Sequence, residues 1–555
     1  MQKAFKKIFS ILSVWLLLSF IAPAYAQAQV TSVLSLMTWP IDAGWWPQQQ
    51  TASKTLTITV NPAPSGTNFY IANSSAGSGT GADCANALSY TFFNNSANWG
   101  GGSGHIAPAS NVHVCGTISN TLTVAGNGSN GSPVALVFES GGKLSQAVCP
   151  FTGCLNIDGH SDIYVDGFGT VDGFGHLSTP QGTIEATANG STLANQVANS
   201  RCIQADSSIR VTITRLLVQN CYVHTLTTDT VPSAPDPTAI HAAGAQTFKV
   251  MNSIIHDANW AVYGGNGVGP IEVGFTELYH IDHGLAVGVV NETFTGASLH
   301  DSHMHDPANW DTTLTACSGN PCYHHDGTHM YRVGTGHIYN INTYNNVFDG
   351  DWGDFTTAQI YTELADGTQN IWNNVFIGTG GGGGRNLTNG MIACTVGSAG
   401  VCHVWNNTIL AGGSQSASNI TLEGVSADFR NNLVNGGAAM LAYTSGLTIA
   451  SGGFDYNDFV NGASGSRFFI VGTGFTTYAA MNTHFSGANS HSPTSATVGV
   501  DSNGVPLNGA PLKGAGFNLS GQGISTLNSD TSAGASRTPV ARGTTWDIGA
   551  YKSAF

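Results

Sequence analysis

Short runs of alternating apolar and polar residues recur along the chain, and each is followed by a turn rich in Asn, Asp or Gly. The pattern is clearest in nine segments: QNCYVHT, MNSIIHD, FTELYHI, HDSHMHD, YNNVFDG, WNNVFIG, WNNTILA, RNNLVNG and YNDFVNG, starting at residues 219, 251, 275, 300, 344, 372, 405, 430 and 456. A period of two is typical of β-strands. Because long helical patterns are missing, the sequence predicts an all-β chain.

The spacing of these segments predicts how the strands are arranged. Five of the eight successive spacings lie between 24 and 28 residues, and the longer ones indicate loop insertions. A repeat of this length is typical of one coil of a parallel β-solenoid. Stacked coils lie about 4.8 Å apart, so asparagines at one position of successive coils would form a hydrogen-bonded ladder. The pairs that start at Asn345, Asn373, Asn406 and Asn431 are therefore interpreted as structural.

The asparagine-rich coils resemble the right-handed parallel β-helix superfamily, the pectate-lyase-like fold. The ending SPTSATVGVDSNGVPLNGAPLKGAGFNL…TTWDIGAYKSAF is similar to the last coils of many exported bacterial β-helix proteins. The resemblance covers roughly residues 66–555. It implies a single-stranded right-handed parallel β-helix with loop insertions and terminal caps, a long groove along one sheet, and carbohydrate as the usual partner.

The amino terminus predicts export. Three lysines, an apolar run and the cleavage motif Ala24-Tyr25-Ala26 are typical of a secretory signal peptide, removed after about Ala26. Residues 27–65 are then predicted to form a strand and linker. Residues 66–555 are predicted to form the parallel β-helix domain, with capping coils from about residue 465. Cleavage of this peptide would remove three lysines and no acidic residue, so the formal net charge would change from −15 to −18. We therefore expect a secreted or periplasmic monomer that binds neither nucleic acid nor, after cleavage, membrane.

The ten cysteines occur as neighbours in the sequence, which suggests disulfides in an exported chain. The five predicted bridges are Cys84–Cys115, Cys149–Cys154, Cys202–Cys221, Cys317–Cys322 and Cys394–Cys402.

Alternation along the strand of each coil predicts which side chains face the groove. The residues expected to point inward are Val262, Ala286, Met330, Ile360, Ala393, Leu422 and Leu441. The residues expected to point outward are Ala261/Tyr263, Leu285/Val287, His329/Tyr331, Gln359/Tyr361, Ile392/Cys394, Thr421/Glu423 and Met440/Ala442. Chemically capable groups are thus concentrated on the middle coils.

Histidines and acids are also concentrated there. Nine of the 19 histidines lie between His280 and His337, and eleven of the 32 acids lie between Glu277 and Glu363. Clustering of this kind in a chain with 9% charged residues indicates a functional site, although a structural stack of turn histidines is an equally good interpretation. That stack would contain His224, His256, His280, His305 and Asp349.

A 19-residue insertion precedes the densest stretch, CYHHDGTHMYR. Long loops on rigid scaffolds are often functional, and Trp310 within the insertion would stack on a sugar ring. His324, His325 and Asp326 end the loop, while His329 and Tyr331 face outward and Arg332 lies at the strand edge.

The first functional hypothesis is a polysaccharide lyase acting by β-elimination at a uronic acid. It needs a group that neutralises the substrate carboxylate, a base and an acid. The candidates are Arg332 or a bound cation for the carboxylate, and His329 and Tyr331 for proton transfer. Asp349, Asp351 and Asp354 form a candidate Ca²⁺ site, and a solvated acidic turn is an equally good interpretation. The R-x-P-x-x-R motif and the groove lysine of characterised pectate lyases are absent, and the acidic charge disfavours a polyuronate unless a metal bridges the two.

The second hypothesis is a glycoside hydrolase that uses two carboxylates. The polygalacturonase set of N-T-D, D-D, H-G and R-I-K is missing, which makes that family a poor match. Two further alternatives are a metal-dependent hydrolase using His303-x-His305 with His324, His325 or His329, and a non-catalytic carbohydrate-binding surface protein. The candidate catalytic residues are His329, Tyr331, Arg332, Asp326, His325, His305 and Glu363. The candidate substrate-binding residues are Trp310, Gln359, Tyr361, His280, His256 and Glu423.

Overall fold

The chain folds into stacked coils in which strands return to the same two sheets at intervals of roughly one repeat. The computed structural model describes residues 66–188, 200–222, 237–307, 325–352, 356–378, 390–397, 400–410, 418–424, 426–436, 439–443, 448–460, 468–470, 473–477, 479–480, 483, 491, 498–522 and 543–551. The predicted signal peptide and linker, Cys317–Cys322, Trp310, His224, His324 and Asp354 lie outside these residues.

The first sheet has 14 parallel strands, one for almost every coil. In spatial order its strands are Leu88–Ser89, Asn68–Ala72, Asn111–Val114, Val134–Phe138, Ser161–Asp166, Ile209–Thr214, Phe248–Met251, Ile271–Gly274, Thr293–His300, His337–Tyr344, Thr368–Trp372, Val401–Trp405, Ser426–Arg430 and Thr448–Asp455.

The second sheet has 23 strands and consists of two parallel stacks. We call the stack of longer strands the groove stack and the other the ladder stack. The groove stack contains Leu122–Thr123, Leu155–Asn156, Arg201–Gln204, Thr238–Ala243, His325–Val333, Thr356–Ala365, Gly390–Val396, Ser418–Glu423, Ala439–Tyr443 and Phe468–Ile470, with Thr473–Phe475 antiparallel at its end. The ladder stack contains Thr117–Ile118, Lys143–Gln146, Gly182–Ala186, Leu216–Gln219, His303–His305, Val347–Asp349, Val375–Ile377, Thr408–Leu410, Leu433–Asn435 and Asp458–Val460.

Two long strands, Ile254–Gly265 and Glu277–Val290, turn the corner and belong to both stacks. The remaining elements are a small hairpin, Thr170–Val171 with Leu177–Thr179, the α-helix Tyr90–Asn94, and the 3-10 turns Cys84–Asn86, Ser96–Asn98 and Ser520–Gln522. The fold is thus a right-handed parallel β-helix, as the resemblance implied.

The asparagine ladder is present where the sequence predicted it. The side-chain amides of Asn346, Asn374, Asn407 and Asn432 each donate to the side-chain oxygen one coil further on, at 3.0 Å, and the last acceptor is Asn457. Each amide also donates to a backbone carbonyl, for example Asn407 Nδ2 to Ile371 O at 3.0 Å. Buried polar groups need such partners, so these asparagines stabilise the turn between the first sheet and the ladder stack.

The register of the groove stack corrects part of the predicted inward and outward pattern. Val262, Met330, Ile360, Leu422 and Leu441 are buried in the core as predicted. Ala286 and Ala393 are buried, but they pair with His329 and Tyr361 and so lie on the outward row rather than pointing inward as predicted. A one-residue offset reverses the two faces of a strand. For this reason Leu285, Val287, Ile392 and Cys394, predicted to face outward, pack in the core instead. Ala261 was also predicted to face outward, and it is buried although the register at its neighbour Val262 was predicted correctly.

Four of the five predicted disulfides are present: Cys84–Cys115, Cys149–Cys154, Cys202–Cys221 and Cys394–Cys402. At the amino-terminal end, the helix Tyr90–Asn94 packs its buried Phe93 against Trp99 and covers the first coils. The capping coils predicted from about residue 465 stay a prediction, because much of that segment lies outside the described residues. Its described part lies along the side of the ladder turn, where Asn406 Nδ2 donates to the carbonyls of Asp547 and Gly549.

Candidate functional site

Two neighbouring groove strands bring three ionisable side chains together. His283 pairs in register with Asp326, and His329 lies three residues further along the same strand as Asp326. The register of that strand shifts between His325 and Asp326, a bulge of the kind that redirects side chains. A glycine is required at the next position, because a Cβ on Gly327 would lie 2.1 Å from the carbonyl oxygen of Gln359. The bulge and this close approach of the backbones fix Asp326 against the histidines.

The reactive atoms of these three side chains form a small triangle. His283 Nε2 lies 3.1 Å from His329 Nδ1 and 3.3 Å from Asp326 Oδ2. His329 Nδ1 lies 3.5 Å from the same carboxylate oxygen. All three atoms are close enough to one another to hold a metal ion. His283 and Asp326 are fully buried, whereas the His329 side chain is 11% exposed on the outward face of the groove stack.

A second layer of charge supports the triangle from inside. Asp282 Oδ2 lies 3.1 Å from His283 Nδ1, and Asp282 Oδ1 lies 3.1 Å from His325 Nδ1. Burial alone would lower the pKa of His283, but the charges of Asp282 and Asp326 and their hydrogen bonds outweigh burial and raise it to about 10. Burial would likewise raise the pKa of Asp282, yet His283 and His325 hold it below its ordinary value. The interior therefore carries fixed ion pairs next to the groove.

Aromatic and acidic groups form the outer rim. The His329 ring stacks on Tyr361 at 5.0 Å between centroids and lies 4.8 Å from the ring of Tyr331. Glu363, which pairs in register with Tyr331, places its carboxylate 3.7 Å from His329 Nε2 and is 45% exposed. Burial, followed by the charges of Glu363, Asp326 and Glu423, raises the pKa of Tyr361 to about 12. We call Asp282, His283, His325, Asp326, His329, Tyr331 and Glu363 the central cluster.

The position of Tyr331 depends on the coil before it. A Cβ on Gly288, the residue paired with Tyr331, would lie 2.3 Å from the Tyr331 hydroxyl oxygen. The tyrosine ring therefore lies back over a glycine of the preceding coil, and a side chain at that position would displace it.

Five predicted catalytic residues come together here: His325, Asp326, His329, Tyr331 and Glu363. Arg332 was also expected to reach a carboxylate of the substrate. The structure places its guanidinium in the turn beyond the strand, where it donates to the carbonyls of Leu364 and Gly336 and lies 3.8 Å from Asp366.

Sequence reasoning missed Asp282 and His283, although a signal for them exists. The segments IDHG and HHDG each end in a glycine. These two glycines, Gly284 and Gly327, lie side by side on neighbouring strands. Alignment of these two segments alone would have paired His283 with Asp326.

The predicted substrate-binding residues are distributed over several coils. Tyr361 contacts His329 directly, whereas Gln359 is buried beside it on the same strand. Glu423 lies two coils further on, with its carboxylate 3.4 Å from Thr395 Oγ1. Thr395 and Glu423 pair in register, so Glu423 continues the outward row of Glu363.

His305, predicted to be catalytic, belongs to a different group on the ladder stack. Its Nε2 lies 3.1 Å from Glu277 Oε1 and its Nδ1 bonds Asp306 at 2.9 Å. His303 Nε2 bonds Asp349 Oδ1 at 2.7 Å. Glu277, His303 and His305 form a second set of potential metal ligands, which we call the side cluster.

The predicted column of turn histidines is present among the described residues, except that at one coil Tyr279 takes the position predicted for His280. His256, Tyr279, His305 and Asp349 pair in successive register, and the rings of the first three stack. His280, predicted for this column, is one residue off it and lies 3.6 Å from Asp257. The predicted Ca²⁺ site stays a prediction because Asp354 lies outside the described residues. The imidazole next to Asp349 differs from the all-oxygen ligand set that Ca²⁺ prefers.

Within the described residues, no helix is long and apolar enough to cross a membrane. No family model matches the sequence, and no curated protein matches it.

Solved structures with low sequence identity are similar in fold. Pectate lyase Pel9A is 12% identical over 88% of this chain and 96% of its own, with a TM-score of 0.34. A GH136 lacto-N-biosidase from Eubacterium ramulus is 9% identical over 73% of this chain and 67% of its own, also at 0.34. An exopolygalacturonase from Thermotoga maritima is 6% identical over 66% of this chain and 85% of its own, at 0.28. At these identities and TM-scores the similarities say nothing about the activity of this chain.

Proposed function

We propose that this protein is an exported enzyme that cleaves an acidic extracellular polysaccharide by β-elimination at the central cluster. The observation that carries the proposal is the pair formed by His329 and Tyr331. Both lie on the groove face of one strand with ring centroids 4.8 Å apart, and the buried carboxylate of Asp326 lies 3.5 Å from His329 Nδ1. An imidazole oriented by a buried carboxylate next to a phenol is a suitable arrangement for proton transfer.

The elimination needs two proton transfers, one from C5 of the sugar and one to the leaving oxygen on C4. A base removes the proton from C5 of the uronic acid, and the electron pair forms the C4–C5 double bond. The C4–O bond breaks, and an acid protonates the leaving oxygen. His329 and Tyr331 are the two groups positioned for these transfers, and the substrate carboxylate must be neutralised for the C5 proton to become acidic.

The structure weakens the two-carboxylate alternative at this coil. Asp326 has a fully buried side chain, and its Oδ1 accepts a hydrogen bond from the backbone N–H of Ala358 at 3.0 Å. A carboxylate held in this way is out of reach of a glycosidic oxygen. Glu363 therefore lacks Asp326 as a catalytic partner.

A hydrolase remains the second candidate because of a different pair of carboxylates. Glu363 and Glu423 lie on the same outward row with the Thr395 coil between them. Two coils correspond to about 9–10 Å between backbones, which is near the separation of about 6.5–9.5 Å used by inverting glycosidases.

The test is to incubate the purified protein with a panel of acidic and neutral polysaccharides and record ultraviolet absorbance of unsaturated uronate ends and reducing ends in parallel. A rise in both supports elimination. Reducing ends without absorbance overturn elimination in favour of hydrolysis, and Glu363→Gln and Glu423→Gln then identify the carboxylates. Binding without either signal supports the non-catalytic carbohydrate-binding alternative. Parallel reactions with Ca²⁺ and with chelator test the predicted Ca²⁺ site.

A further inference from the structure

The triangle of ligating atoms in the central cluster has the dimensions of a metal site. The three distances among His283 Nε2, Asp326 Oδ2 and His329 Nδ1 are 3.1, 3.3 and 3.5 Å. Ligand atoms about 2.0–2.1 Å from a tetrahedral Zn²⁺ lie about 3.3–3.4 Å from one another. The side chains therefore already have the spacing that three corners of a zinc tetrahedron require.

We propose that His283, Asp326 and His329 bind one divalent first-row metal ion, and that Zn²⁺ is the ion that fits best. Two imidazole nitrogens and one carboxylate oxygen form a donor set that suits borderline ions such as Zn²⁺, whereas Ca²⁺ and Mg²⁺ prefer oxygen ligands alone. Three protein ligands leave a fourth position for water or a substrate oxygen.

Protein groups hold the far sides of His283 and Asp326, and the carboxylate of Glu363 lies near the far side of His329 without a hydrogen bond to it. Asp282 Oδ2 lies 3.1 Å from His283 Nδ1, and Glu363 Oε2 lies 3.7 Å from His329 Nε2. The second oxygen of Asp326 accepts the Ala358 N–H. Histidine ligands of metals usually donate their other ring nitrogen to a carboxylate or carbonyl, which fixes the tautomer and the ring orientation. The cluster thus contains both the ligands and the groups that orient them.

Protons are the alternative occupants of the same triangle. A protonated His283 donating to His329 and Asp326 would account for the short distances without a metal. Metal binding would displace these protons, because imidazole nitrogens ligate in their deprotonated form. The two states differ in measurable metal content, so the alternatives are separable by experiment.

A metal here would explain how an acidic protein accepts an acidic sugar, a step that rests on the proposed function. Arg332 is engaged in its turn, and the ion would supply the positive charge that faces the uronate carboxylate. A histidine bound through Nδ1 keeps its proton on Nε2, which faces Glu363. With His329 held as a ligand, Tyr331 would carry out both of the transfers that the metal-free scheme divides between the two residues: its phenolate would remove the C5 proton, and the resulting phenol would protonate the leaving C4 oxygen.

The test measures metal directly. The full-length mature protein is stripped with chelator, dialysed against Zn²⁺ and assayed for bound zinc, and Co²⁺ is then titrated in as a spectroscopic probe. We expect one tightly bound equivalent, the intense visible absorption of tetrahedral Co²⁺, and a rise in melting temperature with Zn²⁺. His283→Gln and Asp326→Asn should lose the equivalent and the Co²⁺ spectrum.

Two variants keep the test valid if a buried substitution prevents folding. Glu363→Gln changes a partly exposed orienting group and should weaken zinc binding about 10–100-fold. His241→Gln is the matched control. His241 also faces outward on the groove stack and pairs with a carboxylate, Asp206, at 2.6 Å, so its loss should leave zinc binding unchanged.

Two results would overturn the metal site. One is the absence of stoichiometric zinc in the folded wild-type protein. The other is zinc that persists in His283→Gln and Asp326→Asn but disappears in His303→Gln, which would assign it to the side cluster. Zinc bound as expected in a protein that cleaves no polysaccharide would uphold the site and remove the proposed function. Elimination by zinc-free protein in the presence of chelator would uphold the proposed function and overturn the metal site.

Discussion

The asparagine ladder and the central cluster both bury polar groups, but they do so in opposite ways. In the ladder, neutral amides follow one another along the helix axis, and each donates at 3.0 Å to the next. In the central cluster, two histidines and a carboxylate converge on one point, with a further buried carboxylate behind them. A repeated neutral ladder stabilises every coil equally, whereas converging charges at one level are costly to bury. This contrast is why we assign the ladder to the fold and propose the central cluster as the functional site.

The largest expected effect on activity comes from removing one hydroxyl in the central cluster. Tyr331→Phe should lower the elimination rate about 10²–10⁴-fold, the usual contribution of one acid–base group. The melting temperature should change little because the ring still packs over Gly288. The measurement is the initial rate of ultraviolet absorbance, with Tyr339→Phe, on the first-sheet strand of the same coil, as the matched control.

The ladder should give the reverse result. Asn407→Ala removes the acceptor of Asn374 Nδ2 and leaves the carbonyl of Ile371 without that donor. The expected loss of unfolding free energy is about 2–4 kcal/mol, because unsatisfied buried groups are costly. Activity per folded molecule should stay at the wild-type value. A chemical denaturation curve checks the first expectation, and an unchanged midpoint would contradict the assigned role of the ladder.

A glycine on the preceding coil tests whether catalysis depends on the position of the Tyr331 hydroxyl. Gly288→Ala should displace the Tyr331 hydroxyl, since the new Cβ would lie 2.3 Å from its oxygen. We expect about a tenfold fall in kcat, with KM less affected, because misplacement of a reacting group slows chemistry more than binding. If the double variant Gly288→Ala/Tyr331→Phe falls tenfold below Tyr331→Phe alone, the glycine acts through something other than Tyr331.

The smallest effect concerns an ion-pair group on the first sheet. Glu272 accepts from His300 at 3.2 Å and from Lys249 at 2.5 Å. The His300 hydrogen bond, opposed by burial and supported by Lys249, lowers the pKa of Glu272 to about 2. Burial of His300 is outweighed by Asp301 and Glu272, which raise its pKa to about 9.

The signs of these shifts define a window of stability. The Glu272 contribution is present above its unfolded pKa of about 4.3 and is lost as the pH falls toward 2. The His300 contribution is complete below about pH 6.5 and is lost as the pH rises through 9. Melting temperature measured against pH should therefore fall at both ends. Glu272→Gln should flatten the acid limb, and an unchanged acid limb would contradict the assignment.

The sequence allowed the coil repeat, the ladder and four described disulfides to be predicted because each depends on local spacing. The site was harder because faces alternate every residue. A one-residue error at Ala286 led to the prediction that core residues face the groove. A one-residue error at His280 put that histidine in the column where Tyr279 lies. Asp282 and His283 were missed for a related reason. His283 meets Asp326 through strand register, and the alignment of GLAVG with THMYR was off by one residue; an alignment of IDHG with HHDG would have paired them.

Arg332 shows another limit of the sequence. Its position next to Tyr331 suggested a role with substrate, yet the strand ends there and the guanidinium is drawn to the carbonyls of Leu364 and Gly336. Free carbonyls at a turn compete with a groove for a long cationic side chain, and a linear sequence does not show where those carbonyls point.

The most direct test of the central claim is the ultraviolet assay on a panel of acidic polysaccharides, run with wild-type protein, Tyr331→Phe and Tyr339→Phe at equal folded concentration. We expect absorbance to rise in the presence of wild-type protein and of Tyr339→Phe, and its initial rate to be at least a hundredfold lower with Tyr331→Phe. Equal absorbance from wild type and Tyr331→Phe would contradict the assignment of the central cluster as the catalytic site.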